Sequence, residues 1–231
     1  MKFIVPNSPD RRLDYVITGT GRCGTVYMAK LLTSIGFPCT HEAVFTFAGY
    51  RPYSKINSNV SVLDGRWLND RDRIVADSSF MSAPYLKVLK KQDTKIIHVV
   101  RDPLRVIFSF IEGFDFFKYN HPDHQPFQEF MHKYVPELAE DNDPMTRACL
   151  YYVRWSEMIH KQEVDLFYPV ESEAEVLIDF MGSNATSYYG NRRSNSRATE
   201  NNHTYDEIPE SEIKEQFVQL AKDYGYTIIK S

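Results

Sequence analysis

The sequence predicts a doubly wound α/β fold, a mainly parallel sheet with helices on both faces. Three observations carry this. From Leu13 to Ile35, LDYVITGTGRCGTVYMAKLLTSI, an apolar run breaks into a glycine-rich turn and then a helical pattern. From Lys95 to Ser109, KIIHVVRDPLRVIFS, a second apolar run enters an Arg-Asp-Pro turn and another helix. Along the rest of the chain strand and helix alternate, with no internal repeat and no low-complexity tract, which is the pattern of parallel strands joined by helical crossovers.

In chain order, the strand from Leu13 is followed by a helix starting near Thr25, then a short strand near Phe37 to Thr40 and a polar, aromatic loop to about Asn59. Arg73 to Asp77 reads as a buried strand and Ala83 to Lys91 as a helix, after which come the strand and helix bearing Arg101 and Ser109. Residues 112–142 are rich in Phe, His and Pro, with short helical stretches. A long amphipathic helix is expected from Pro144 to about Lys161, a strand from Val164 to Tyr168, a helix from Glu173 to Met181 and a final covering helix from Glu210 to Tyr224. Between them, residues 183–204 turn polar and basic and keep no period. The chain reads as one domain over residues 1–231. In such a sheet, ligands sit outside the carboxyl ends of the strands, where both the glycine-rich turn and Arg101 fall.

The glycine-rich turn has the chemistry of an anion site. Gly19, Gly21 and Gly24 let the backbone turn sharply, and the N–H groups at the start of the next helix point at a bound anion. A nucleotide-triphosphate loop would end in Gly-Lys-Ser/Thr, with lysine on the terminal phosphates and a hydroxyl on magnesium. Here the positions read Gly24-Thr25-Val26, and the cation, Arg22, stands two residues ahead of Gly24. That suits a single 5′ phosphate group and implies no metal. Taken alone, the same residues also fit a tight βα connection, and Asp102-Pro103 also fits a capped helix start.

Composition limits the function classes. With 27 Lys+Arg against 31 Asp+Glu, the net charge of −4 argues against broad nucleic-acid binding and requires any anion site to be a local cluster. No run reaches membrane-spanning length, and the opening MKFIVPNSPDRR has too short an apolar stretch for a secretory signal. Three unpatterned cysteines, Cys23, Cys39 and Cys149, fit reduced thiols and a cytoplasmic location.

The two strand–turn–helix segments together resemble the sulfotransferases that use 3′-phosphoadenosine 5′-phosphosulfate (PAPS), whose sheet is related to that of the P-loop NTPases. In that family a loop similar to GRCGT binds the 5′ phosphosulfate, which implies that role for Gly21, Arg22, Cys23, Gly24, Thr25 and Val26. An arginine followed eight residues later by a serine binds the 3′ phosphate, which implies that role for Arg101 and Ser109. FYPVESE is similar to the family's strand ending in Tyr and Glu. A late basic loop covers the 3′ phosphate and adenosine in the family; here Arg192 or Arg193 is the implied contact, although the Arg-Lys-Gly pattern of cytosolic members is absent. The resemblance implies PAPS as donor, a hydroxyl of a carbohydrate or other small molecule as acceptor, and an acceptor-side insert near 112–142.

For the base, carbohydrate-type members carry a glutamate in a segment much like HEAVF, which points to Glu42, with His41 as its rival and Arg22 stabilising the leaving phosphate. Histidine ordinarily titrates nearer neutrality; Glu42 needs partial burial. Adjacent residues of an extended segment face opposite ways, so only one of the two is expected at the acceptor oxygen. Glu42 equally fits a helix cap or a pair with a loop arginine. Cytosolic members place a Lys-Thr-His base where this chain has Asp77, Ser78 and Ser79, so that mechanism does not carry over. Trp155 and Tyr152 fit either adenine stacking or a core role. A P-loop kinase, or a PAPS-binding protein without turnover, are the other readings; the kinase lacks its lysine and an acidic magnesium ligand.

Overall fold

A computed structural model of the chain describes residues 13–50, 74–113, 124–140, 143–189 and 203–229. Five parallel strands form the main sheet: β1 (Tyr15–Thr18), β2 (Cys39–His41), β5 (Ala76–Ser78), β6 (Lys95–Val100) and β7 (Leu166–Pro169), in the order β2-β5-β1-β6-β7. Between β2 and β5 lies a short antiparallel pair, β3 (Phe45–Thr46) and β4 (Gly49–Tyr50). The helices are α1 (Thr25–Ser34), α2 (Leu86–Lys90), α3 (Pro103–Gly113), α4 (Gln125–Tyr134), α5 (Pro144–His160), α6 (Ala174–Met181) and α7 (Glu212–Asp223).

The central strands β1 and β6 are mostly apolar because both faces of the sheet are covered. On one face Tyr15 meets Phe37, just past α1, and Phe180 of α6. On the other, His98 meets His160 of α5 and Tyr224 at the end of α7. Thus β1 leaves the sheet through α1 on the first face, and neighbouring β6 reaches β7 through α3 and α5, with α5 on the second. The crevice beyond the carboxyl ends of β1 and β6 is the switch point where such sheets take ligands.

Local chemistry sets the helix starts. Asp143 Oδ2 accepts from the Thr146 N–H at 2.7 Å with Pro144 in the first turn, and Ser211 Oγ accepts from the Lys214 N–H at 3.2 Å. Asp102 Oδ1 accepts from the Leu104 N–H at 3.0 Å, so the Arg-Asp-Pro turn does begin a helix.

Several boundaries differ from those expected. The second strand starts at Cys39 rather than near Phe37, since Pro38 has no N–H to give and only its carbonyl pairs, receiving the Val75 and Ala76 N–H groups at 3.0 and 3.3 Å, and it runs one residue past Thr40 to His41. His41 is therefore the last residue of a strand and Glu42 the first of a turn. Its neighbour is likewise displaced, to Ala76–Ser78. The helix expected over Ala83 to Lys91 is split into a 3₁₀ segment, Phe80–Tyr85, which contains Pro84, and the short α2. In the aromatic region 112–142, α4 buries Phe127, Phe130 and Met131, and rings of Phe80, Phe130 and Trp155 lie 6.0–6.4 Å apart. That segment is part of the core as well as a flank of the crevice. Trp155 and Tyr152 are also core residues: both are buried, and Trp155 Nε1 donates to the Phe80 carbonyl at 3.2 Å.

Candidate active site

The loop between β1 and α1 passes under the crevice. A Cβ on Gly19 would run into the Val99 carbonyl oxygen, and one on Gly24 would lie 2.7 Å from Val170 Cγ2; Gly24 also has φ +108°, so only glycine closes the loop against β6 and the end of β7. Arg22 takes the left-handed conformation too, at φ +68°. This turns its side chain across to α3, where Nε donates to Ser109 Oγ at 3.1 Å. Arg101 Nη1 donates to the Arg22 carbonyl at 3.4 Å, and the Arg101 carbonyl accepts from the Tyr152 hydroxyl at 3.3 Å. The two motifs, 87 residues apart between Arg22 and Ser109, thus meet in one basic cluster. Helix α1 has no side-chain cap, which leaves its first turn facing the same space.

Two members of the loop differ from a uniform anion cradle. The Gly21 N–H is committed to Tyr151 Oη at 2.8 Å, a buried bond across 130 residues. Cys23 is fully buried, and burial pushes its thiol up to about 12, so it is a small packing residue and not a nucleophile.

The second corner lies at the ends of β2 and β5. His41 Nε2 and Thr25 Oγ1 are 3.0 Å apart, and Ser78 Oγ donates to the Thr25 carbonyl at 2.8 Å, which ties this corner to the start of α1. Ser79 caps the following 3₁₀ segment, its Oγ accepting from the Met81 N–H at 3.1 Å. Glu42, at φ +54°, turns back so that Oε1 stands 3.6 Å from His41 Nε2. The expected divergence of the two side chains fails here because Glu42 is left-handed rather than extended. Burial, then the nearby Asp77 carboxylate, raises the Glu42 carboxyl to about 7, against the opposing pull of Arg22. Burial and Arg22 lower His41 to about 4, so the imidazole is neutral at neutral pH and the 3.6 Å contact is no ion pair.

Arg192 and Arg193 lie outside the described residues. On one side of them the Tyr189 N–H donates to Ser34 Oγ at the far end of α1 at 2.8 Å, with its ring 6.3 Å from that of Tyr27 near the helix start; on the other, His203 stacks on Phe108, next to Ser109, with centroids 3.5 Å apart. His203 also meets Glu112 and Glu207, each at 3.0 Å.

The sulfotransferase domain model matches residues 12–186, from just before β1 to beyond α6. The chain belongs to the sulfotransferase domain family. No curated protein matches the sequence. Membership makes the protein a transferase enzyme that moves sulfuryl groups, in a family that typically uses PAPS and small-molecule acceptors. Among the described residues no helix is long and apolar enough to cross a membrane, and no group of His, Cys, Asp and Glu is arranged to hold a metal ion.

Sequence reasoning missed Tyr151 as the partner of the phosphate loop and Val170 as the side chain packed against Gly24. The run YYVRW places Tyr151 and Tyr152 on an amphipathic helix and signals burial, but nothing in it signals a partner 130 residues away.

Proposed function

We propose that this sulfotransferase takes PAPS as its donor and transfers the sulfuryl group to a hydroxyl of a carbohydrate or other small molecule, with Glu42 as base. The observation that carries the reading is the meeting of Arg22, Ser109 and Arg101 at the β1–β6 switch point, with a half-buried carboxyl beside it. In this reading Gly21, Arg22, Cys23, Gly24, Thr25 and Val26 form the site of the 5′ phosphosulfate, through backbone N–H groups at the start of α1 and the Arg22 guanidinium. Arg101 and Ser109 receive the 3′ phosphate, and Arg192 or Arg193 covers it.

The chemistry follows from where charge develops. Glu42 takes the proton of the acceptor hydroxyl as its oxygen bonds to sulfur; the bond from sulfur to the bridging phosphate oxygen breaks in line, and adenosine 3′,5′-bisphosphate leaves with the negative charge. Arg22 and the N–H groups of the α1 first turn stabilise that charge without having to reorganise. Glu42 near 7 suits a base at neutral pH, whereas His41 near 4 holds a proton too weakly to drive abstraction. His41 instead supports the corner through Thr25. Donor binding is tested by thermal shift: adenosine 3′,5′-bisphosphate is expected to raise the melting temperature well above the effect of ATP with magnesium, because only the former fills both anion positions. Equal or greater stabilisation by ATP with magnesium overturns the reading in favour of a kinase-like donor.

A further inference from the structure

Asp77 ends up unusually well placed for a residue outside the proposed machinery. Parallel register sets it opposite Thr40, and its side chain is fully buried. Oδ1 accepts from the Thr40 hydroxyl at 2.5 Å and from the Ala43 and Val44 N–H groups at 3.2 and 3.4 Å. These donors lie before and after Glu42, whose own N–H donates to the Ser78 carbonyl at 3.3 Å. One carboxyl oxygen, together with the next carbonyl of β5, therefore closes the turn that keeps Glu42 left-handed, a conformation that a side chain with a Cβ adopts only under outside constraint.

The other oxygen, Oδ2, is buried with no hydrogen-bond partner among the described residues. Hydrogen bonds on Oδ1 favour the Asp77 charge while burial opposes it and raises the carboxyl to about 6; once ionised, its field reaches its neighbours in a water-poor corner. Of the groups that act on Glu42, Arg22 from the phosphate loop favours the ionised carboxylate, neutral His41 from β2 adds no charge, and Asp77 from β5 favours the protonated form.

We propose that Asp77 is a positioning residue for Glu42, clamping the turn that carries it and setting a negative charge behind its carboxyl. This rests on Glu42 being the base. Asp77 touches neither donor nor acceptor and receives no proton from the acceptor; it makes Glu42 a stronger proton acceptor and holds it toward the crevice. A buried aspartate that merely capped a turn would serve the backbone equally well without its charge, and that difference is measurable.

The test uses the full chain with carboxyl-labelled glutamate, observed by carbon NMR from pH 4 to 9. The Glu42 signal is the one missing in Glu42→Gln. In the wild type its midpoint is expected near 7. Asp77→Asn keeps an oxygen acceptor for the clamp but removes the charge, so the midpoint is expected to fall by about one unit while the melting temperature changes little. A midpoint near 7 that Asp77→Asn leaves in place overturns this inference alone; a wild-type midpoint in the ordinary carboxylate range overturns the assignment of Glu42 as well. Asp77→Ala removes the clamp too, and turnover is expected to drop about 10- to 100-fold with unchanged affinity for adenosine 3′,5′-bisphosphate. Unchanged turnover in Asp77→Ala overturns the positioning role. If Asp77→Ala does not fold, the Asp77→Asn titration decides alone.

Discussion

At the β1–β6 corner of the crevice two permanent cations, Arg22 and Arg101, stand partly exposed, Arg22 donating to the Ser109 hydroxyl and Arg101 to the Arg22 carbonyl. At the β2–β5 corner, a few residues away across α1, the charged groups are Glu42 and Asp77, acids that burial pushes up to about 7 and about 6. The first corner keeps its charge at every physiological pH and uses it to hold anions. The second has charge that depends on pH, which is what proton transfer needs. The cluster of cations does not require deep burial because arginine stays ionised regardless; the acids acquire their chemistry only through burial.

The largest expected effect breaks the second corner. Glu42→Gln preserves shape and removes the base, so turnover at saturating donor should fall about 100-fold or more, with affinity for adenosine 3′,5′-bisphosphate barely changed. His41→Asn should do less. Near-normal turnover in Glu42→Gln with a collapse in His41→Asn transfers the role to the histidine.

Breaking the first corner should have the opposite signature. Arg101→Ala is expected to weaken adenosine 3′,5′-bisphosphate by about 1.5 to 3 kcal/mol while leaving 5′-AMP nearly unaffected, as calorimetry of the two ligands can show. Equal losses for both would show that Arg101 does not read the 3′ phosphate.

The contrast also predicts how stability varies with pH. The Glu42 carboxyl sits near 7 in the folded protein against an ordinary 4.5, so the native state holds that proton more tightly. Its stabilising contribution is complete below about 4.5 and is lost as pH rises through 7. Glu42→Gln should therefore gain on the wild type between pH 5 and 8, by an amount on the order of 1–2 kcal/mol in denaturant melts. His41, lowered to about 4, acts in the reverse sense on both proteins and drops out of the difference. A constant difference across that range would mean that Glu42 is not desolvated.

How much of this was legible in the sequence differs between the two corners as well. Arg22, Gly24, Arg101 and Ser109 could be read because each belongs to a local strand–turn–helix signal, and the parallel sheet then brings the two signals side by side. Glu42 could be named but not aimed: its left-handed φ depends on Asp77, thirty-five residues on, and on register between β2 and β5. The bounds of β2 and β5 shift by one to three residues from those expected, beside Pro38, and Pro84 splits the expected helix into a 3₁₀ segment and α2. Asp77 could be named but not its clamp on the Glu42 turn, and Tyr151 could not be named at all, since its function lies in one long-range hydrogen bond. Tyr151→Phe is accordingly the smallest effect expected, a loss of about 1 kcal/mol in thermal or denaturant stability as the Gly21 N–H loses its partner.

The burial of Cys23 behind the phosphate loop gives the protein a built-in clock. A thiol held up to about 12 and sealed from solvent reacts with a labelling reagent only when the loop lifts off its support, so the labelling rate counts opening events. Cys39 on β2 and Cys149 on α5 are sealed in the same way and time the opening of a strand and of a helix. With the other two cysteines replaced by alanine in turn, each site reports its own part of the fold. A ligand that seats on the loop should slow the Cys23 clock more than the Cys149 clock.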